Sequence, residues 1–294
     1  MLAYDYGAVH RLYLDRRGRV RRDNSRRVGV FFEDLVWRVP RGSAIVLPTR
    51  DGANVEGVLE ARRSFPDAIA YSTGDAAIDE IAKTLRVRHR IVESTPSGEM
   101  MIDDLENLLD VSRPAIVCAA ADDCGAVRDV LTRHHMSRRS HVHVHKRGFE
   151  MPFIQGPDRF RRSGWNSIAV DASETLGVPV PCSVYASGTL KTPTDVAAYA
   201  AAFLRYAIDA EGYDGFEREI ARCLERADDL VDAARAVGVR AKRRFLTVTF
   251  GGPLPKGVAE RWKLAPGPSM VVGSWLTPEV LGAFVREIKP GNIA

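Results

Sequence analysis

The most constraining feature of this sequence is a repeated alternation between short apolar runs and segments of helical period. AIVLP (44–48), AIAYS (68–72), HRIVES (89–94) and PAIVCAA (114–120) are short runs bounded by turn residues, the pattern of buried strands. Between them NVEGVLEARRSF (54–65), DAAIDEIAKTLRV (75–87), IDDLENLLD (102–110) and GAVRDVLTRH (125–134) repeat their apolar residues at helical spacing. HVHVH (141–145) alternates as a strand, and NSIAVDA (166–172) and CSVYAS (182–187) continue the series. Strands separated by helical crossovers form a mostly parallel sheet with helices on its faces, so the fold class expected is α/β.

The C-terminal part reads differently. One helix is expected over about 195–211, with a start that Thr194 can cap, and a second over about 214–237 with Phe216, Ile220, Cys223, Leu224, Ala227 and Leu230 on its apolar face. RFLTVTF, MVVGSW and the helical TPEVLGAFVREI then make a small α+β module. The expected organisation is a basic arm (1–27), a large α/β domain (28–193) and a long connecting helix with a C-terminal α+β domain (194–294). FFEDLVWR (31–38) reads as a short amphipathic helix. The net charge of +4 is too mild to argue for nucleic acid. Its main local source, the arginine-rich stretch from Arg11 to Arg27, lacks interleaved aromatics and reads as a solvated tail. Cysteines stand at 118, 124, 182 and 223 without a CxxC pair, which argues for burial rather than a zinc ribbon or disulfide framework. No apolar run is long enough for a membrane helix, and no secretory leader is evident, so a cytoplasmic protein is expected.

Several strings carry a resemblance. FPDAIAYS (65–72), IAKTLRVRHRIVESTPSGEMMIDDLENLL (81–109), GVPVPCSVYA (177–186), EGYDGFEREIARCLERADDL (211–230) and RWKLAPGPSMVVGSWLTPEVLGAFVREI (261–288) occur in an order and spacing similar to the group II pyridoxal-phosphate amino-acid decarboxylases, bacterial histidine decarboxylases in particular. The resemblance runs from about residue 28 to 289. It implies a large domain of the type I pyridoxal-phosphate transferase fold and a dimer with its cofactor at the subunit boundary.

The resemblance also places the family's cofactor residues, and the chain departs from them. The stretch IAVDASETLGVPVPC puts Ser173 and Glu174 where the family has its histidine and Schiff-base lysine. A carboxylate cannot condense with an aldehyde. SHVHVHKRGF puts His143 where the family has the aspartate that holds the ring nitrogen. PTRDGAN (48–54) matches the phosphate turn, keeping Gly52 and Asn54 but introducing Asp51 at a helix N-terminus. The ring-stacking histidine falls near Asp75 or Ala76, and the threonine pair falls in AAADD (119–123). Cys182 belongs to the PVPC string lining the same pocket. Among the other lysines, Lys146 is expected on the strand face opposite His141, His143 and His145, and Lys191 follows a shortened loop.

These departures give the expectation that pyridoxal phosphate has been lost. The leading functional expectation is then a degenerate, non-catalytic decarboxylase homologue, either a homodimer or a heterodimer partner of a lysine-bearing paralogue. A second is a re-tooled enzyme using the histidine cluster and Glu174, with His143, His145 and Glu174 holding a divalent metal. Against the metal, residues 141 and 145 are about 13 Å apart by strand rise, and His141 paired with Glu174 would fill a polar hole equally well. A third is residual pyridoxal-phosphate-dependent carboxy-lyase activity. A small-molecule ligand is compatible with each, whereas membrane and nucleic-acid partners are not expected.

Overall fold

The computed structural model describes residues 5–14, 19, 23–36, 43–95, 98–146, 149–172, 178–188, 197–252, 254–262, 264, 268–273 and 275–289. In chain order the elements of the first part are α1 (Tyr6–Tyr13), α2 (Asp23–Val36), β1 (Ser43–Leu47), α3 (Gly52–Ser64), β2 (Ile69–Ser72), α4 (Ala76–Thr84), β3 (Arg88–Ile91) and α5 (Ile102–Leu108). There follow β4 (Ala115–Ala120), α6 (Cys124–Arg133), β5 (Ser140–Lys146), α7 (Met151–Gln155), α8 (Pro157–Arg162), β6 (Ser167–Asp171) and β7 (Ser183–Ser187). The helical run α9 (Ala198–Ala236) leads to β8 (Arg240–Arg244), β9 (Thr247–Gly251), α10 (Val258–Arg261), β10 (Ser269–Val271) and α11 (Pro278–Ile288).

The larger compact unit comprises Leu2–Ser94 and Glu99–Tyr213. Its seven-stranded sheet has the order β1-β7-β6-β5-β4-β2-β3, with β6, β5, β4, β2 and β3 parallel and β7 antiparallel to both β1 and β6. The apolar runs lie where helices cover both faces: every residue of β2, β4 and β7 is buried, whereas the edge strand β3 is largely exposed. Val58, Ala61, Ile78, Ile81, Ile116 and Cys118 knit α3 and α4 onto β4.

The smaller unit comprises Asp214–Ala294 with Thr95–Gly98. Its three-stranded antiparallel sheet, β10-β9-β8, shares a core with the second part of α9 and with α11 through Ala227, Leu230, Val248, Phe250, Leu276 and Phe284. The division follows from Gly212, whose φ of 60° and ψ of −171° interrupt α9 one residue before Tyr213. A positive φ is readily adopted only without a Cβ.

The arginine-rich arm is more than a solvated tail. It contains α1 and the start of α2, which runs on to Val36 and absorbs most of the expected FFEDLVWR helix. Arg205 of α9 ties α2 down: its guanidinium donates to Asn24 Oδ1 at 2.9 Å, Asp23 Oδ2 at 3.1 Å and Asp209 Oδ2 at 3.3 Å. Asn24, itself fully buried, donates from Nδ2 to the Leu12 carbonyl at 2.8 Å and so extends the tie toward α1. Arg205→Ala would leave these acceptors without their donor, and a loss of about 2 kcal/mol is expected. Urea unfolding checks it, and an unchanged midpoint would refute the tie.

Candidate functional site

The site lies on the face of the sheet that α3 covers. Side chains at alternate strand positions share a face. In β5 these are His141, His143 and His145; in β6, Ser167 and Ala169; in β7, Ser183, Tyr185 and Ser187. The order β7-β6-β5 sets these rows side by side, with Ser167 opposite both Ser187 and His143 and Ala169 opposite Tyr185. From above, α3 presents Asn54, Gly57 and Glu60 at intervals of three residues. A polar seam thus runs through an otherwise apolar interior.

Its hydrogen bonds fall into two groups. Ser167 Oγ lies 2.7 Å from His141 Nε2 and 2.9 Å from His143 Nδ1. His143 Nε2 lies 3.2 Å from Asn54 Oδ1. Tyr185 and Ser187 donate to the two oxygens of Glu60, each at 2.7 Å. His143 is completely enclosed, and its ring occupies the space beside Gly57, where a Cβ would stand 2.2 Å from Cε1. Both seam histidines are neutral at pH 7. Burial lowers His141 to about 4, with Glu60 opposing and Arg128 adding to the fall. Burial also lowers His143 well below its usual value, reinforced by His141 and His145. The Tyr185 hydroxyl is raised by burial and then by Glu60.

At the end of the seam, α3 opens on the turn expected to meet a phosphate. A Cβ on Gly52 would stand 2.9 Å from Leu47 Cβ and from Thr49 Oγ1, so this turn closes only on glycine. Ser183 Oγ accepts from the Ala53 amide at 3.0 Å and donates to the Thr49 carbonyl at 2.7 Å. Asp51, exposed, makes no side-chain cap.

The other expected site residues fall as follows. Asp75 caps α4, its Oδ1 accepting from the amides of Ala77 and Ile78. Cys182 is buried and its thiol pushed up to about 12, first by burial and then by Asp171, which makes it a packing residue. Ser173, Glu174 and Lys191 lie outside the described residues, as does the Lys146 side chain. No metal-binding group of three His, Cys, Asp or Glu side chains occurs among the described residues. His141 meets Ser167, and the carboxylate found in the seam is Glu60 of α3. Sequence reasoning did not single out Ser167, Tyr185, Ser187, Glu60 or Gly57. The available signals were the polar alternation of SVYAS and the Asn54-Gly57-Glu60 spacing. Among the described residues no helix is long and apolar enough to cross a membrane.

No family model matches the chain. It is 29% identical over 291 residues to serine decarboxylase 2 of Oryza sativa subsp. japonica, covering 86% of this chain and 62% of that protein. It is 26% identical over 268 residues to histidine decarboxylase of Morganella morganii, covering 79% and 71% respectively. The chain thus spans about three fifths of the length of the rice relative. Among solved structures it is similar to Oryza sativa TDC with PLP and tryptamine, with a TM-score of 0.68, 14% identity and coverage of 91% of this chain and 76% of that one. The chain is a homologue of the serine and histidine decarboxylases and has the type I pyridoxal-phosphate fold.

These findings correct the expectation that the cofactor has been lost. A structure of the same fold holds pyridoxal phosphate, and the decarboxylase relatives point to the same group. The donor set here fits it in two places. The tight Gly52 turn opens a thirteen-residue helix, whose N-terminus is a setting suited to a phosphate, although Asp51 weakens the attraction. His143 would hydrogen-bond a heteroaromatic nitrogen by exchanging Asn54 at Nε2, and it supplies no negative charge.

Proposed function

We propose that this homologue of the serine and histidine decarboxylases accepts pyridoxal phosphate without a covalent link and serves as a low-turnover subunit beside a lysine-bearing paralogue. The observation that carries the reading is His143, fully buried and uncharged, at the place the resemblance gives to the ring-nitrogen aspartate. Bound pyridoxal phosphate supplies an electron sink for removal of an amino acid's carboxylate. In this chain the opening turn of α3 would hold the phosphate, and His143 would face the ring nitrogen. A neutral imidazole stabilises a protonated ring nitrogen less than a carboxylate does, because the hydrogen bond lacks the charge pairing. Glu174, at the lysine position of the resemblance, carries no amine to capture the aldehyde.

The test combines binding with turnover. Added pyridoxal phosphate is expected to be retained on the purified chain, and borohydride is expected to leave no phosphopyridoxyl mass on the protein. Release of carbon dioxide from serine or histidine is expected to be undetectable with the chain alone and to rise when a lysine-bearing homologue is mixed in. A reduced covalent adduct, together with carbon dioxide release by the isolated chain, would instead make it a decarboxylase in its own right. Co-purification is the measurement for the partner: a chain that neither associates with such a homologue nor alters its rate would refute that role.

A further inference from the structure

We propose, resting on the cofactor reading above, that Arg50 binds the phosphate at this site and that Asp171 is its resting partner, released when the phosphate arrives. Leu47 of β1, Ser183 of β7 and Asp171 of β6 are partners in a row across the sheet, so their side chains share the face that α3 covers. Arg50 follows Leu47 by three residues, yet its Nε donates to Asp171 Oδ2 at 2.9 Å. The side chain therefore reaches across the end of β7 to β6. On β7, between the two, Ser183 Oγ accepts from the Ala53 amide in the first turn of α3. The guanidinium thus stands at the opening of the helix whose turn the resemblance gives to the phosphate.

The local charges favour such a residue. The turn PTRDGAN carries Asp51, and β6 ends in Asp171, and both carboxylates repel a dianion. Arg50 is the one cationic residue of that turn. A guanidinium offers a planar fork of donors that suits carboxylate and phosphate alike, and a phosphate brings more charge and three acceptor oxygens. The present pair is readily exchanged. The Arg50 side chain is 55% exposed and that of Asp171 24%, and ion pairs open to water contribute little. Arg50 can turn from carboxylate to phosphate by rotation of its own side chain. Asp171 is then a competitor for the cation and makes no contact with the ligand.

Two substitutions with opposite expected effects test the assignment. Calorimetry follows the binding of pyridoxal phosphate, pyridoxal and inorganic phosphate to the purified chain. Arg50→Ala is expected to weaken pyridoxal phosphate and inorganic phosphate about tenfold, and to leave pyridoxal, which lacks the phosphate, unchanged. Arg50→Lys keeps the charge without the fork and is expected to fall between the two. Asp171→Asn removes the competing charge at nearly constant size and is expected to tighten both phosphate ligands about threefold. Weaker binding in Asp171→Asn as well as in Arg50→Ala would mean that the ion pair merely braces the turn. Unchanged affinity in Arg50→Ala would mean that the guanidinium never meets the phosphate. Either result overturns the inference and leaves the cofactor reading standing. Inorganic phosphate bound in the expected order by a chain that does not retain pyridoxal phosphate would uphold Arg50 and count against the cofactor reading alone. A chain that binds neither ligand would refute both.

Discussion

Gly57→Ala is expected to destabilise the larger unit by about 3 kcal/mol, although it adds a single methyl group to a helix and improves helix propensity. The new Cβ would stand 2.2 Å from Cε1 and 2.3 Å from Nδ1 of His143, so the ring must move. It has nowhere neutral to go. Its two nitrogens are engaged by Ser167 and Asn54, and displacement leaves buried polar atoms unpaired, at about 1–3 kcal/mol for each group. The test is a double-mutant cycle read by urea unfolding. In a His143→Ala background the obstructing ring is absent, and Gly57→Ala should become nearly neutral. Two effects that simply add would show that the imidazole is not what excludes a side chain from position 57.

The same glycine marks what the sequence did and did not disclose. The strands were legible because AIVLP, AIAYS and PAIVCAA are apolar runs between turn residues, and they became β1, β2 and β4. The interruption of the long helix, expected between about 211 and 214, falls at Gly212. The histidine row was legible because period two is local. Its partners were not. Ser167, Tyr185 and Glu60 belong to three separate elements, and only the strand order β7-β6-β5, with α3 above it, makes them neighbours. Nothing in the sequence near Gly57 signals the imidazole packed against it. The helices of the N-terminal arm were hidden by their arginines. Their attachment depends on Arg205, 181 positions from Asn24. The decarboxylase resemblance placed the fold. Its altered residues were read as loss of the cofactor, yet substitutions at contact positions change how a ring can be held before they decide whether it is held.

Stability is expected to fall by about 2 kcal/mol between pH 7 and pH 5 on account of His141 alone. The folded-state value is about 4, whereas an exposed histidine titrates near 6.5. Over that interval the unfolded chain takes up a proton that the folded chain refuses, so acid favours unfolding. The contribution is fully present above the unfolded value and is lost as pH falls toward the folded one. His143, lowered in the same direction by its complete burial, steepens the decline. The carboxylates whose values are depressed in the folded state, such as Glu106 and Asp110, act in the same direction but mainly below pH 5. The interval from pH 7 to 5 therefore isolates the histidines. Urea unfolding at half-unit steps gives the slope, and His141→Gln, which keeps a polar group beside Ser167 without a titrating ring, should remove about 2 kcal/mol of the decline. A wild-type profile flat over that interval would mean that His141 is protonated in the folded protein.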